Sequence, residues 1–188
     1  GYAADTYPRP PADTPEAPGG LVFESTPGLY HNVAVFDFKS LYPSIILTFG
    51  IDPLAANILL HALTDKEQTK SKKPARIVKG PAGLEFAVDY AILPAIIQEL
   101  WQARETAKKV SDGALSQAVK IIMNSFYGVL GSPGCRFYDP RLAGSITRIG
   151  HWVMNHSRQF IEQEGYAVIY GDTDSLFVNL GQDKHRAV

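Results

Sequence analysis

At 188 residues the chain is long enough for one sizeable core, read as one domain with an excursion. Eighteen Lys and Arg against 19 Asp and Glu leave a formal charge of −1, which argues against nucleic-acid binding by bulk charge and confines any such role to local patches. The single cysteine, Cys135, excludes an internal disulfide and fits a reducing compartment, and the lack of an apolar run of transmembrane length argues against a membrane span.

Residues 1–20 are rich in Pro, Ala and Gly and read as an irregular arm or linker. A strand is expected around Val33 to Phe38, with Val33, Val35 and Asp37 on one face and Ala34, Phe36 and Phe38 on the other. Pro43 suits the first turn of a helix that Gly50 can end. The polar, basic stretch 64–83 reads as an exposed loop, followed by a short strand from Leu84 to Val88. Leu93-Pro94 opens a long helix to about Val110, and after the Ser111-Asp112-Gly113 turn a second helix runs from about Leu115 to Phe126. This is an αα-hairpin with antiparallel neighbours. Asp139-Pro140 starts a third helix that Gly165 terminates. Val168–Tyr170 and Ser175–Val178 are β-rich runs on either side of GDTD, a hairpin. The chain has no signal-peptide pattern, starts at Gly1 without a methionine and stops soon after an apolar strand, so it reads as a segment of something larger.

Two carboxylates, Asp172 and Asp174, crowd that hairpin tip, where i and i+2 positions of extended chain face one side. Taken alone, a D-x-D turn is explained by aspartate bonding nearby backbone amides. Asp37 changes the balance, because it ends a strand otherwise made of Val, Ala and Phe, where a lone buried charge is costly. Carboxylates converging at strand ends repel unless a divalent cation lies between them. Mg²⁺ suits that place, since it takes one or two protein carboxylates and keeps positions for water and phosphate. The tight turn in FKSLYPSII then presents helix-start amides to an anion, or Ser40 simply caps the helix.

A cationic face is expected on the helix pair. At 100° per residue Ile97, Trp101, Arg104 and Lys108 align on the first helix, apolar at the base and cationic toward the tip. Gln117, Lys120, Asn124 and Tyr127 align on the second, with Lys120 at a height between Arg104 and Lys108. Such cations repel, and a triphosphate would relieve them, although helical Lys and Arg more often just face water. Tyr127 also reads as a half-buried core residue, and Gly128 as a helix C-cap.

DFKSLYPSII (37–46), KIIMNSFYG (120–128) and YGDTDS (170–175), in this order and spacing, resemble the three polymerase motifs of family B DNA polymerases. The resemblance covers the chain from about Gly19 onward. It implies an α+β fold: a polymerase palm with an antiparallel β-sheet backed by helices, plus a two-helix αα-hairpin as fingers. The implied division is a linker at 1–20, palm at 21–93, fingers at 94–127 and palm again at 128–188, without exonuclease or thumb.

The resemblance also implies roles. Asp37 and Asp174, with the Phe38 carbonyl and Asp172 nearby, would hold two Mg²⁺ ions, for which Mn²⁺ can substitute. Ser40 and Leu41 would offer amides to the triphosphate, and Tyr42 would lie under the incoming sugar and exclude a 2′-hydroxyl. Arg104, Lys108 and Lys120 would grip the triphosphate with Asn124 supporting that face, and Lys120 would protonate pyrophosphate. Tyr127 and Gly128 would lie against the minor groove of the nascent base pair. The implied activity is template-directed DNA synthesis by a two-metal mechanism, poor in the isolated segment. Its partners would be primer–template DNA, dNTPs, the exonuclease and thumb of the same polypeptide and a sliding clamp, in the bacterial cytoplasm and at no membrane. The family's Tyr-x-Gly-Gly linker stands here as Ala17-Pro18-Gly19-Gly20. Two other readings compete: a non-catalytic, polymerase-derived DNA-binding or scaffold module, and another palm-type nucleotidyltransferase such as a reverse transcriptase. A scaffold has no need of mutually repelling charges, and the SLYPS turn and αα-hairpin favour the DNA-dependent family.

Overall fold

A computed structural model describes residues 9–64 and 76–181. The chain divides into two compact units, Gly1–Ala17 with Tyr42–Ile146, and Pro18–Leu41 with Thr147–Val188. The fold is mixed helix and antiparallel sheet, as the α+β expectation holds.

The second unit is built on a three-stranded antiparallel sheet in the order β1-β5-β4. Strand β1 (Val33–Asp37) pairs along its whole length with β5 (Ser175–Asn179), and β4 (Ala167–Asp172) flanks β5 on the other side. A bulge between Val168 and Tyr170 shifts the β4 register, so that Tyr170 faces Phe177 and Asp172 faces Ser175. Such an extra residue re-aims the side chains after it. The core of this unit gathers Phe23, Met154, Val168, Leu176 and Val178. Met154 comes from helix α5 (Pro140–Gln163), which Gly165 ends in a left-handed conformation at φ 88°. Residues 21–26 run beside β4 through Phe23 N–H to the Gly171 carbonyl and Thr26 N–H to the Ile169 carbonyl, both at 2.9 Å.

The first unit is helical with a small two-stranded sheet. Helix α1 (Leu41–Phe49) ends at Gly50, whose φ of 64° few other residues adopt, and α2 (Pro53–Thr64) follows at once. The stretch Leu41–Leu60 is apolar enough by length and mean hydropathy to cross a membrane, but half of it is buried inside the protein and it is broken at Gly50 into these two helices. Asp52, 2% exposed, explains the break. Its carboxylate accepts from Ala55 N–H at 2.8 Å, capping α2, and from the N–H groups of Ile92 and Leu93 at 3.0 and 2.7 Å, where the helix Leu93–Lys109 begins. One buried carboxylate thereby satisfies three backbone donors at two helix starts.

Part of the expected basic loop is a strand. Strand β2 (Ile77–Lys79) pairs antiparallel with β3 (Glu85–Ala87), because Ile77 and Val78 are β-branched and Gly83, at φ 82°, permits the reversal. The lysine-rich portion at 65–75 lies outside the described residues. A 3₁₀ turn (Val88–Tyr90) leads into α3 (Leu93–Lys109), and α4 (Gly113–Leu130) returns against it. Asp112 caps α4 by accepting from Leu115 N–H at 2.9 Å, so the helix begins two residues before the expected start. It also runs through Gly128 to Leu130, and Gly131 rather than Gly128 is its C-cap. The buried stripe Val119, Met123, Leu130 carries the helix past the glycine.

Candidate active site

The three aspartates lie at one end of the three-stranded sheet. Asp37 ends β1 opposite Ser175, and Asp172 ends β4 opposite the same Ser175 from the other side. Phe38 N–H donates to the Asp174 carbonyl at 2.8 Å, so Asp37 and Asp174 are neighbours across the strand pair. Ser175 Oγ donates to Asp37 Oδ1 at 2.9 Å, which orients that carboxylate and leaves its second oxygen available for another donor or a cation. The final serine of YGDTDS, to which sequence reasoning assigned no role, is thus the residue around which the acidic groups are arranged.

The structure corrects two expectations about these aspartates. Asp37 is solvent-exposed, as is most of β1, so the cost of burying its charge does not single it out. Nor do Asp172 and Asp174 share a face by strand alternation, because Thr173 between them has φ 53°. That left-handed residue closes a two-residue turn and breaks the alternation on which i, i+2 co-facing depends. Asp172 is instead held by hydroxyls: Thr173 Oγ1 donates to its Oδ1 at 2.9 Å, and the Tyr170 hydroxyl approaches its Oδ2 at 3.4 Å.

Among the described residues no three His, Cys, Asp or Glu side chains come close enough together to hold a metal ion. The donor chemistry at the strand ends nonetheless fits magnesium, a hard cation that is held by one or two carboxylates and otherwise by water and phosphate. Asp37, Asp174 and the Phe38 carbonyl are the oxygen donors that could hold such an ion there.

After Phe38 the chain passes through Ser40, at φ 52°, and enters α1 at Leu41. A positive φ in a residue with a side chain is uncommon, and this chain has one on each side of the carboxylate pair, at Ser40 and Thr173.

The remaining candidates belong to the first unit. Tyr42 on α1 packs its ring against Tyr127 on α4, with centroids 4.8 Å apart and planes tilted by 50°. Both are half-buried, and burial pushes the Tyr127 phenol above its usual value, further from ionisation. On α3, Ile97 is fully buried, Trp101 and Arg104 are half-buried and Lys108 is exposed, which is the gradient from apolar base to cationic tip. Lys108 has a carboxylate beside it already, Glu105 at 3.0 Å. An exposed i, i+3 pair of this kind contributes only about 0.2–0.5 kcal/mol and yields readily to a multivalent anion. On α4, Gln117, Lys120 and Asn124 are exposed, while Val119, Met123 and Leu130 are buried. Gly128 lies inside the helix, where glycine costs about 0.5–1 kcal/mol relative to alanine, yet a side chain there would meet nothing within 4 Å. Internal packing therefore gives no reason for glycine at this position. An apolar cavity of about 310 Å³ near the start of α3, lined by Pro53, Ile96, Phe126 and Phe137, holds none of these candidates.

Comparison with known proteins agrees with the motifs. The family model for DNA polymerase family B matches residues 7–188, and the chain belongs to that family. It is 47% identical over 178 residues to DNA polymerase II of Escherichia coli strain K12, covering 95% of this chain and 21% of that protein. It is 31% identical over 182 residues to DNA polymerase 1 of Pyrococcus abyssi, covering 90% of this chain and 22% of that one. Among solved structures, the family B DNA polymerase of the hyperthermophilic archaeon Pyrobaculum calidifontis superimposes with a TM-score of 0.69 at 28% identity, over 93% of this chain and 24% of that chain. The chain thus spans about a fifth of the length of these curated relatives.

Proposed function

We propose that this chain carries the polymerase chemistry of a family B enzyme: nucleotidyl transfer from a dNTP to a primer 3′-hydroxyl, directed by a DNA template. One observation carries the reading. Two strands far apart in sequence bring Asp37 and Asp174 side by side at a sheet end, joined by the Phe38–Asp174 backbone bond of 2.8 Å. Membership of the family and the names of the relatives, all DNA polymerases, support the same conclusion.

In this reading Asp37, Asp174 and the Phe38 carbonyl hold two Mg²⁺ ions, with Asp172 as a third carboxylate nearby. When bound, those ions supply Lewis-acid activation of the attacking hydroxyl and charge neutralisation at the leaving pyrophosphate. Ser175 keeps the Asp37 carboxylate in one orientation through its 2.9 Å bond. The amides of Ser40 and Leu41 bind phosphate oxygens at the start of α1. Arg104, Lys108 and Lys120 bind the triphosphate and stabilise charge that grows on it in the transition state, with Asn124 alongside. Lys120 delivers a proton to pyrophosphate as it departs. Tyr42 occupies the volume that a ribose 2′-hydroxyl needs, and Tyr127 remains protonated as a hydrogen-bond donor toward the base pair. Gly128 leaves the backbone bare for a close approach of the minor groove. In domain terms, 94–127 acts as fingers between two stretches of palm, 21–93 and 128–188, after a linker at 1–20.

The test is primer extension by the full-length protein with dNTPs on matched DNA and RNA templates, with and without Mg²⁺. Mg²⁺-dependent extension on DNA, weaker on RNA, supports the assignment. A preference for RNA templates points to a reverse transcriptase, and binding of DNA without extension points to a scaffold.

A further inference from the structure

The Ala17-Pro18-Gly19-Gly20 stretch has no assigned part in the chemistry, yet the chain after it is laid directly on the acidic turn. Thr173 N–H donates to the Leu21 carbonyl at 2.8 Å, and Val22 forms an isolated bridge with Asp172. On the other side, His151 Nε2 lies 2.8 Å from the Gly19 carbonyl. The segment is therefore tied at both ends, to α5 and to the turn.

Gly20 lies between these ties. A Cβ there would overlap Thr173 Oγ1 and stand 3.2 Å from both Thr173 Cβ and Cγ2. Its φ is not in the left-handed region, so the backbone conformation does not require glycine. What requires glycine is room. The neighbouring Gly19 has nothing within 4 Å of its missing Cβ, so the two glycines are not equivalent.

The atom that a Cβ at position 20 would displace, Thr173 Oγ1, has its own task. Thr173 Oγ1 donates to Asp172 Oδ1 at 2.9 Å, and Thr173 holds the left-handed φ of 53° between Asp172 and Asp174. Neither partner can step back freely, because the Leu21–Thr173 and Gly19–His151 bonds fix the strap and the turn together. We propose that Gly20 is a positioning residue for nucleotidyl transfer: bare backbone at this point seats Thr173 and thereby sets the carboxylates of the YGDTDS turn. The inference rests on the nucleotidyl-transfer reading above.

The test is a double-mutant cycle in the full-length protein, read by single-turnover nucleotide addition. Gly20→Ala is expected to slow addition at least 10-fold with the KM for primer–template unchanged, while Gly19→Ala stays within about 2-fold of the parent. In a Thr173→Gly background, which removes the obstructing atoms and tolerates positive φ, Gly20→Ala is expected to have no further effect. Mn²⁺ titration by electron paramagnetic resonance should show weaker binding in Gly20→Ala alone. The proposal is overturned if Gly20→Ala behaves like Gly19→Ala, if it costs the same in both Thr173 backgrounds, or if its Mn²⁺ affinity equals the parent's. If Asp37→Asn and Asp174→Asn leave synthesis intact, the underlying reading fails instead. Loss in those two variants with none in Gly20→Ala removes only the positioning role.

Discussion

Ser175 Oγ donates to Asp37 Oδ1 at 2.9 Å, linking the first residue of β5 to the last residue of β1. A hydroxyl bonded to a carboxylate is a charge-assisted contact, contributing about 1.5–3 kcal/mol where geometry is good. Ser175→Ala should therefore lower the single-turnover rate about 10-fold or more, with primer–template affinity unchanged. Ser175→Thr keeps the hydroxyl and should recover most of the loss. A Ser175→Ala enzyme at the parental rate would show that Asp37 needs no such orientation.

Tyr42 carries two consequences that separate experimentally. Tyr42→Ala removes the ring against Tyr127, a contact of about 0.5–1.5 kcal/mol, so the melting temperature should fall by a few degrees. It also opens the volume under the sugar, so discrimination against ribonucleotides should fall by on the order of 10²-fold. Tyr42→Phe keeps the ring and should preserve both properties. Unchanged discrimination in Tyr42→Ala would remove the steric assignment while leaving the packing one.

Lys120 is tested by keeping its charge while changing its acidity. Lys120→Ala should cost both nucleotide binding and chemistry. Lys120→Arg should retain nucleotide affinity but slow the chemical step, because a guanidinium does not release its proton near neutral pH. An unaltered chemical rate with arginine would limit Lys120 to electrostatic grip.

Asp52 yields a prediction about stability alone. Its 2% exposed carboxylate satisfies three backbone donors at two helix starts. Asp52→Ala leaves those donors buried without partners and should destabilise the protein by about 3 kcal/mol or more, read by denaturant titration. Asp52→Asn retains one acceptor oxygen and should cost less. Equal stability in Asp52→Ala would mean that water replaces the carboxylate.

These residues also mark how far the sequence could be read. Strand β1, helices α3 and α4 and the β4–β5 hairpin were legible because apolar periodicity and turn residues agree there. Two apolar runs ending in aspartate were legible, but the pairing of Asp37 with Asp174 came from the family resemblance, and the burial cost attached to Asp37 does not hold. Strand β2 was hidden by the polar, basic sequence around it, because β2 pairs at the surface, where a polar edge is compatible with a strand. The tie from Asp52 to the start of α3 was invisible, since Ile92 and Leu93 lie about 40 residues further along the chain. Gly20 could not be read either: its constraint is the absence of space beside Thr173, a property of tertiary packing that no local pattern encodes.

The most direct measurement is single-turnover nucleotide addition by the full-length protein bearing Asp37→Asn or Asp174→Asn, with primer–template affinity measured alongside. Each substitution keeps size and shape while removing one negative charge. The expected result is a loss on the order of 10³-fold in rate in both variants at near-parental DNA affinity. Parental turnover in either variant would contradict the assignment of catalysis to this pair of aspartates.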